Sequence, residues 1–282
     1  MKICVNNALL SFRLADNIRM TNNFPTTAEL IAKNALFIAN HSGGKDSMAC
    51  LESLINQGVP KSQIIVVHAS LGAMEWEGAL EKAQEHAAKH GLPFFVAKAA
   101  KSFFDMVERR FATRPDAPSW PSASTRQCTS DLKRDPIAKL MRNYASAHGY
   151  TTIVNCLGLR ADESTARKLR PVFSVNTRET NAKRTVYEWL PIHKLSVAQV
   201  WALIDASGVK RHFAYDLGNE RLSCVFCIMG SANDCRNGAK HNPQLFSQYI
   251  ALEKKTGYYM HQDGLSLLEI VFGTKQPDAL AA

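Results

Sequence analysis

The sequence predicts an α/β protein with a mostly parallel sheet flanked by helices, followed by a small cysteine-bearing helical module. Strand-like and helix-like runs alternate up to about residue 207, as in consecutive βα units. The run 151–157 is nearly all apolar and β-branched, which is typical of a buried parallel strand. Farther along, periodicity fades and three cysteines appear. The predicted parts are an N-terminal extension over 1–33, an α/β nucleotide-binding domain over 34–207 and the cysteine-bearing module over 208–282, packed on that domain.

The individual elements follow in a regular order. Short apolar runs bounded by turn residues predict strands over 35–40, 63–68, 94–97 and 151–157. Helical periodicity predicts helices over 47–56, 75–90, 103–111, 136–148, 197–206, 244–255 and 265–272. Asp135 is the expected N-cap of the fourth helix, with Pro136 as its first residue. The Pro- and Ser-rich stretch 114–126 predicts a long loop, in which Trp120 would either stack on a base or cap a hydrophobic edge.

The first strand leads into a glycine-rich loop, Ser42-Gly43-Gly44-Lys45-Asp46-Ser47, and then into a helix. The two glycines allow a tight turn that presents backbone N–H groups to an anion. The helix N-terminus and the Lys45 ammonium add positive charge. A nucleotide phosphate is the expected ligand, although a glycine turn that merely joins strand to helix is the simpler alternative. The spacing excludes a Walker loop, which needs four residues between its glycines.

A second glycine turn follows the strand over 151–157 and opens a charged helical start. Arg160 and Arg167 could grip phosphates, because a guanidinium binds two oxygens at once and stays charged. Glu163 could hold an arginine in place or ligate magnesium. The alternative is a solvated, salt-bridged helix face. Since ligands of open parallel sheets bind beyond the carboxyl ends of the strands, this turn and the glycine-rich loop should meet there.

Both motifs resemble those of the PP-loop ATP pyrophosphatase superfamily. The run at 42–47 is similar to its Ser-Gly-Gly-x-Asp-Ser loop. Gly158, Arg160, Glu163, Ser164 and Arg167 resemble the second motif of the phosphoadenosine phosphosulfate (PAPS) reductase-like family. Cys128-x-x-x-x-Lys133-x-x-Pro136 resembles another signature of that family, in which Lys133 is implied to bind phosphate or sulfate. The resemblance implies a Rossmann-like, adenine nucleotide alpha hydrolase-like fold.

The resemblance also implies which residues handle ATP. The implied catalytic residues are Lys45, Asp46, Lys133, Arg160, Glu163 and Arg167. The implied nucleotide-binding residues are Ser42, Gly43, Gly44, Lys45, Asp46, Ser47, Gly158 and Arg160. The N–H groups of Gly43 and Gly44 would bind pyrophosphate, Ser42 and Ser47 would meet oxygens or Mg²⁺, and Asp46 would fix the loop or hold Mg²⁺.

Three of the seven cysteines, Cys224, Cys227 and Cys235, lie in one short irregular stretch. A Cys-x-x-Cys turn lets two thiolates meet one metal or cluster, and a further ligand is needed. The family's iron-sulfur branch implies Cys128 as that ligand, giving Cys128, Cys224, Cys227 and Cys235 around a 4Fe-4S cluster. Zinc is the less favoured alternative, with His212 or His241 able to replace Cys128. Cys4, Cys50 and Cys156 are interpreted as small buried or neutral residues.

Composition limits the remaining functions. The first thirty residues carry charges and no long apolar segment, so neither a signal peptide nor a membrane span is expected, and the predicted location is the cytoplasm. Lysine and arginine outnumber aspartate and glutamate by 34 to 25, a net charge of +9, which favours a polyanionic partner.

The leading hypothesis is an ATP pyrophosphatase that activates a nucleic-acid phosphate oxygen for sulfur insertion. The tail resembles the iron-sulfur enzymes of DNA phosphorothioation, which implies DNA and a cysteine desulfurase as partners. The alternatives are a sulfonucleotide reductase, a tRNA thiolation enzyme and a non-catalytic nucleotide or nucleic-acid sensor. The reductase alternative lacks the family's C-terminal cysteine, because no cysteine follows Cys235. The sequence does not decide between a monomer and a homo-oligomer.

Overall fold

The structure, a computed structural model, describes residues 24–273. Its centre is a six-stranded sheet in the order β3-β2-β1-β4-β6-β5, parallel except for the β5–β6 pair. The strands are β1 (Leu36–Asn40), β2 (Ile64–Ser70), β3 (Phe94–Lys98), β4 (Thr152–Cys156), β5 (Phe173–Val175) and β6 (Thr185–Trp189). The predicted α/β class with a mostly parallel sheet is confirmed. Cys4 and most of the N-terminal extension lie outside the described residues.

Helices cover both faces of the sheet and form the C-terminal part of the chain. They are α1 (Thr27–Ala32), α2 (Lys45–Asn56), α3 (Ala79–Lys89), α4 (Phe103–Thr113), α5 (Gln127–Thr129), α6 (Asp135–Ala147), α7 (Thr165–Lys168), α8 (Val197–Ser207), α9 (Ala232–His241), α10 (Pro243–Thr256) and α11 (Leu267–Phe272). Serine-initiated capping boxes begin α4, α8, α9 and α11. Each satisfies N–H groups that the first helical turn would leave unpaired. None of the described helices is long and apolar enough to cross a membrane.

The alternation of side chains along β1 explains its central position. Phe37 and Ala39 pack in one core cluster with α2, whereas Leu36 and Ile38 pack in the opposite cluster with α6. All four side chains are at most 1% exposed, so β1 is buried on both faces, as expected for a central parallel strand. The glycine-rich loop therefore leaves the sheet at its middle, beyond the carboxyl end of β1.

Several predicted boundaries were wrong. Helix α3 begins at Ala79 and not near residue 75, because Gly78 precedes it in a left-handed conformation, with φ of 81°. Strands β5 and β6 and helix α9 were missed. Strand β6 has an irregular burial pattern, with Val186 and Trp189 buried and the other three positions partly exposed, so it shows neither strict alternation nor a continuous apolar run.

The N-cap predicted at Asp135 was also wrong. Arg134 and Asp135 both have helical backbone angles, and the chain runs from α5 through one π-helical segment, Ser130–Arg134, directly into α6. Pro136 lacks an N–H and its ring crowds the preceding turn, and the wider π turn lies immediately before it. The helix therefore starts upstream, which brings Cys128 and Lys133 onto one helical stretch.

The C-terminal helices share a core with the α/β part of the chain. One hydrophobic cluster joins Phe103 and Trp120 to Phe226 and Tyr249. The Trp120 and Tyr249 rings stack at 5.8 Å between centroids, and the Trp120 Nε1–H donates to the Tyr258 carbonyl oxygen at 2.8 Å. Trp120 is 5% exposed, so it belongs to this core, and the alternative in which it stacks on a base is wrong.

Replacing Trp120 by Ala should lower the free energy of unfolding by about 3–5 kcal/mol, because it removes a stacked ring from a filled core. Trp120→Phe should cost less, since it keeps a ring against Tyr249. Urea denaturation monitored by circular dichroism measures both. A Trp120→Ala protein of unchanged stability but weakened ATP binding would instead place this ring in a ligand site.

Candidate functional site

The glycine-rich loop, residues 42–47, packs tightly against two other segments. Gly43 has φ of 78°, and a Cβ built there would lie 2.4 Å from the Ala79 carbonyl oxygen at the start of α3. Gly44 is the N-cap of α2, and a Cβ there would lie 3.2 Å from the Leu222 Cβ and the Tyr215 hydroxyl. Glycine at position 43 is thus required both by the backbone angle and by the neighbouring backbone.

Hydrogen bonds within the loop fix its shape. The Ser42 N–H donates to the Ser47 Oγ at 3.1 Å, and the Ser47 hydroxyl donates to the Gly44 carbonyl at 2.8 Å. The Gly43 N–H donates to the Nδ1 of buried His41 at 3.0 Å. The prediction that Gly43 offers a bare N–H to an anion was therefore wrong for this conformation, because a histidine directly under the loop accepts that hydrogen.

The second motif lies directly on the loop. A Cβ on Gly158 would approach the Asp46 carbonyl oxygen to 2.5 Å, so the absence of a side chain allows β4 to end against α2. The Arg160 Nε donates to Asp46 Oδ1 at 2.6 Å, and Asp46 Oδ2 is 3.5 Å from the Lys45 Nζ. The expected convergence of the two motifs at the carboxyl ends of the strands is confirmed.

Glu163 organises the arginines around this contact. It accepts the Arg160 backbone N–H at 2.9 Å, pairs with Arg167, and lies 3.7 Å from the Arg221 guanidinium. Burial alone would lower the pKa of Arg160, but Asp46 and Asp162 outweigh burial, and the pKa of Arg160 is raised. Arg160 therefore remains a buried, permanently charged group.

A segment of the C-terminal part closes over the loop. The Lys45 backbone N–H donates to the Tyr215 hydroxyl at 2.8 Å, and the Lys45 Nζ donates to the Glu220 carbonyl at 2.8 Å. Burial raises the pKa of Tyr215, which keeps this hydroxyl neutral. Beside these contacts lies a cavity of about 470 Å³, large enough for a small-molecule ligand. Its lining includes Lys45, Arg160, Glu163, Trp201, Tyr215 and Arg221.

Three of the four predicted metal-binding cysteines interact electrostatically with Lys133. The pKa of Lys133 is raised, and Cys224 is the largest cause. Burial lowers this pKa, but the further contributions of Cys227, Cys128 and Glu75 also raise it. Burial raises the pKa of Cys224 to about 11, and Lys133 opposes that shift. An ammonium among three thiols favours their charged, metal-binding forms.

Cys235 is not among the groups that raise the pKa of Lys133, but it lies in the same hydrophobic cluster as Cys128. It is fully buried on α9, and its pKa is raised to about 12, mainly by burial, with Asp234 and Cys227 also contributing. Among the described residues, no three thiols lie within 4.8 Å of one another. A single tetrahedral zinc ion holds its sulfurs roughly 3.8 Å apart, since each Zn–S bond is about 2.3 Å. The described thiols form no such compact set of three.

The thiols lie close to the cavity along the chain. Cys224 forms a backbone bridge with Glu75 and is two residues from Leu222, whose Cβ would lie 3.2 Å from a Cβ built on Gly44. Because two residues of extended chain span at most about 7 Å, the Cys224 backbone lies within about 7 Å of the Leu222 backbone. Of the predicted catalytic residues, Lys45, Arg160 and Glu163 line the cavity, whereas Asp46, Arg167 and Lys133 do not. Lys133 interacts instead with the thiols.

Sequence reasoning missed His41, Trp201 and Tyr215. Trp201 meets the Tyr215 ring edge to face at 5.0 Å, and both line the cavity. Tyr215 is 170 positions from its partner Lys45, and local sequence pattern carries no signal for such a contact. For His41 the sequence did carry a signal, because a histidine stands directly before the glycine-rich loop.

A family model described as the phosphoadenosine phosphosulfate reductase domain matches residues 37–229, more than half of the chain. The chain belongs to this family. The matched range contains both nucleotide-side motifs, Lys133, and three of the four predicted ligand cysteines, while Cys235 follows it. Among curated proteins, an uncharacterised protein of Methanocaldococcus jannaschii is 24% identical over 80% of this chain, and the chain spans about half (49%) of that protein.

Solved structures similar to this PAPS reductase family member include three of different activity. The PAPS reductase of Candida auris is 13% identical, and the match covers 71% of this chain and 96% of that chain with a TM-score of 0.43. The FMN adenylyltransferase of Candida glabrata is 13% identical, and the match covers 68% of this chain and 54% of that chain with a TM-score of 0.44. The U34-tRNA thiolase NcsA of Methanococcus maripaludis with its 4Fe-4S cluster is 14% identical, and the match covers 85% of this chain and 70% of that chain with a TM-score of 0.38. Their identities and TM-scores are too low to assign an activity to this chain.

Proposed function

We propose that this protein is an ATP pyrophosphatase that cleaves ATP to AMP and pyrophosphate and thereby activates an oxygen for replacement by sulfur. The observation that carries the proposal is the contact between Arg160 and Asp46, which brings the glycine-rich loop and the Arg160 turn together beside one cavity. The activated oxygen belongs to a nucleic-acid phosphate, and DNA is the favoured acceptor. The net charge of +9 supports a polyanionic acceptor.

Cleavage needs mainly positioning and charge neutralisation, because negative charge builds on the departing pyrophosphate. Lys45 and Arg160 line the cavity and would meet that charge, with Arg167 held behind them by Glu163. The N–H of Gly44 and the hydroxyl of Ser42 would meet phosphate oxygens, whereas the Ser47 hydroxyl, which donates to the Gly44 carbonyl, would hold the loop in shape. Gly158 contributes by letting the two motifs approach.

Magnesium would enter with ATP, bound to the phosphates. Asp46 is already paired with Arg160 and Lys45, and Glu163 with two arginines. These pairs support a loop-fixing role for Asp46 and an arginine-holding role for Glu163, in preference to direct ligation of Mg²⁺.

The thiols of Cys128, Cys224, Cys227 and Cys235 would hold a 4Fe-4S cluster, in preference to zinc. Such a cluster can supply electron transfer or a binding site for sulfur. Lys133 would stabilise the thiolate forms of the three nearest ligands. The His212 Nε2–H donates a hydrogen bond to the Glu77 carbonyl oxygen at 2.8 Å. This nitrogen is therefore already occupied, which argues against His212 as a metal ligand in place of Cys128.

The bond changes are those of adenylyl transfer followed by displacement. An acceptor phosphate oxygen attacks the α phosphorus, the bond to the β phosphate breaks, and pyrophosphate leaves. Sulfide derived from a cysteine desulfurase then attacks the adenylylated phosphorus, and AMP leaves with the acceptor's oxygen. If sulfur arrives as a persulfide, a thiol supplies the two electrons that reduce the remaining S–S bond.

The reductase alternative needs an accessible thiolate nucleophile. Cys50 and Cys156 are fully buried, and burial raises the pKa of Cys50 to about 12. Neither can reach the cavity as a thiolate. The tRNA thiolation enzyme and the non-catalytic sensor remain as alternatives that the labelling experiment below distinguishes.

Oxygen labelling tests the proposed function. DNA carrying ¹⁸O at non-bridging phosphate positions would be incubated with the protein, ATP, a cysteine desulfurase and cysteine. We expect ¹⁸O in the released AMP and a phosphorothioate in the DNA. AMP that lacks ¹⁸O while DNA gains sulfur would contradict the mechanism, ¹⁸O delivered only from labelled tRNA would shift the acceptor to RNA, and nucleotide binding without turnover would indicate a sensor.

Replacing Arg160 by Gln should lower kcat/KM for pyrophosphate release by roughly 10²-fold or more, because a buried charge facing the phosphates is lost. Arg170→Gln is the matched control, since Arg170 pairs with Glu188 on the surface at 2.8 Å. Steady-state kinetics compares the two, with thermal melting to verify folding. Equal activities in the two variants would remove Arg160 from the site.

A further inference from the structure

A buried polar cluster lies beneath the glycine-rich loop and plays no part in the proposed chemistry. Glu52 on α2 accepts hydrogen bonds from His86 Nε2 at 2.7 Å and from His90 Nε2 at 2.8 Å. His86 Nδ1 lies 2.9 Å from His41 Nε2, and His41 Nδ1 accepts the Gly43 N–H at 3.0 Å. A continuous chain of contacts thus joins Glu52 to the loop.

The Gly43 N–H determines which nitrogen donates and which accepts in each hydrogen bond of this chain. A backbone N–H can only donate, so the His41 Nδ1 is an acceptor and its hydrogen sits on Nε2. The His41 Nε2–H then donates to His86 Nδ1, which leaves the His86 hydrogen on Nε2, facing Glu52. Burial, and next the neighbouring His86, lower the pKa of His41, in agreement with a neutral ring.

We propose that Glu52, His86 and His90 bind a divalent transition-metal ion, and that His41 couples this ion to the Gly43 amide. Their ligand atoms all lie within 4.8 Å of one another, as a single metal ion requires. His86 and His90 are four residues apart, one helical turn, with Glu52 facing them from α2. Two imidazoles and a carboxylate are a common zinc-binding set.

The surroundings also fit a metal site. The side chains of Glu52 and His86 are buried, whereas His90 is 15% exposed at the end of α3 and gives the ion a route from solvent. His41 would be the second partner that a metal-bound histidine usually has on its other nitrogen. Three protein ligands leave one tetrahedral position for water.

Metal binding would change the hydrogen bond at the loop. His86 and His90 must each bind the ion through an unprotonated Nε2, so the hydrogen of each ring moves to Nδ1, and the His86 Nδ1–H donates to His41 Nε2. The His41 hydrogen then moves to Nδ1, where Ser47 Oγ, at 3.5 Å, can accept it. Each imidazole keeps one proton, and the Gly43 N–H loses its acceptor. That N–H becomes available to an anion.

Zinc stoichiometry tests the site. Equilibrium dialysis of the full-length protein against Zn²⁺ should show about one equivalent less in His90→Gln than in the wild type. His148→Gln, which removes an exposed histidine, should match the wild type. Zinc bound by the cysteines is common to all three proteins and cancels in the comparison. Equal zinc in His90→Gln and the wild type would overturn the proposal.

The coupling is tested in the wild-type protein without any variant. Long-range ¹H–¹⁵N NMR of ¹⁵N-histidine-labelled protein distinguishes the two neutral tautomers of His41. We expect the Nε2–H form before Zn²⁺ is added and the Nδ1–H form afterwards. An unchanged His41 tautomer with zinc bound at Glu52, His86 and His90 would refute the coupling. Because no ATP is present, this outcome is independent of the proposed pyrophosphatase activity.

Discussion

Replacing Gly43 by Ala should abolish pyrophosphate release, an expected loss of at least roughly 10²-fold in kcat. Two effects combine at this position. The backbone angle is in the left-handed region, where a side chain costs about 1–3 kcal/mol. In addition, the new Cβ would lie 2.4 Å from the Ala79 carbonyl oxygen, so the loop or the start of α3 must move. Steady-state release of pyrophosphate from ATP measures the loss.

Gly58→Ala provides a closely matched control. Gly58 has φ of 76°, almost the same as Gly43, yet a Cβ there would meet nothing within 4 Å. This variant should lose about 1 kcal/mol of stability from the backbone strain and keep its activity. If both variants kept wild-type activity, the geometry of the loop would not matter for catalysis.

Replacing Cys224 by Ser should reduce the iron and acid-labile sulfide of anaerobically purified protein to background. Cys224 is the first residue of the Cys-x-x-Cys turn in the proposed ligand set, and its backbone is held by the bridge with Glu75. A hydroxyl at this position is a poor ligand for iron of a cluster. Elemental analysis for iron, sulfide and zinc makes the measurement.

Cys50→Ala is the control for the cysteine variant. Cys50 is buried on α2 in a different hydrophobic cluster from Cys128 and Cys235. Its replacement should leave the iron content unchanged. Full iron in Cys224→Ser, or zinc without iron in the wild type, would contradict the proposed 4Fe-4S cluster.

The sequence was sufficient for the parts of the fold that depend on local pattern. Strands β1, β2, β3 and β4 were found because each is a compact apolar or β-branched run. Strand β6 was missed because it mixes buried and partly exposed positions. The start of the helix carrying Cys128 was misplaced because Pro136 ordinarily marks a first turn, and here a π-helical segment precedes it.

The sequence predicted the two motifs of the site but not all of the residues that contact them. Arg160 and Asp46 were both named from their motifs, and their contact follows from the order of the strands. The hydrogen bonds of His41 to Gly43 and of Tyr215 to Lys45 could not be predicted. The first depends on a side-chain rotamer and the second on how the C-terminal segment folds back over the loop.

The products formed from ATP test the central claim most directly. Incubation of the purified protein with ATP, DNA, a cysteine desulfurase and cysteine, followed by ³¹P NMR of the products, should show AMP and pyrophosphate in equal amounts. Both products should disappear in Gly43→Ala and persist in Gly58→Ala. Formation of ADP and orthophosphate, with no pyrophosphate, would contradict cleavage between the α and β phosphates and with it the whole account of the cavity.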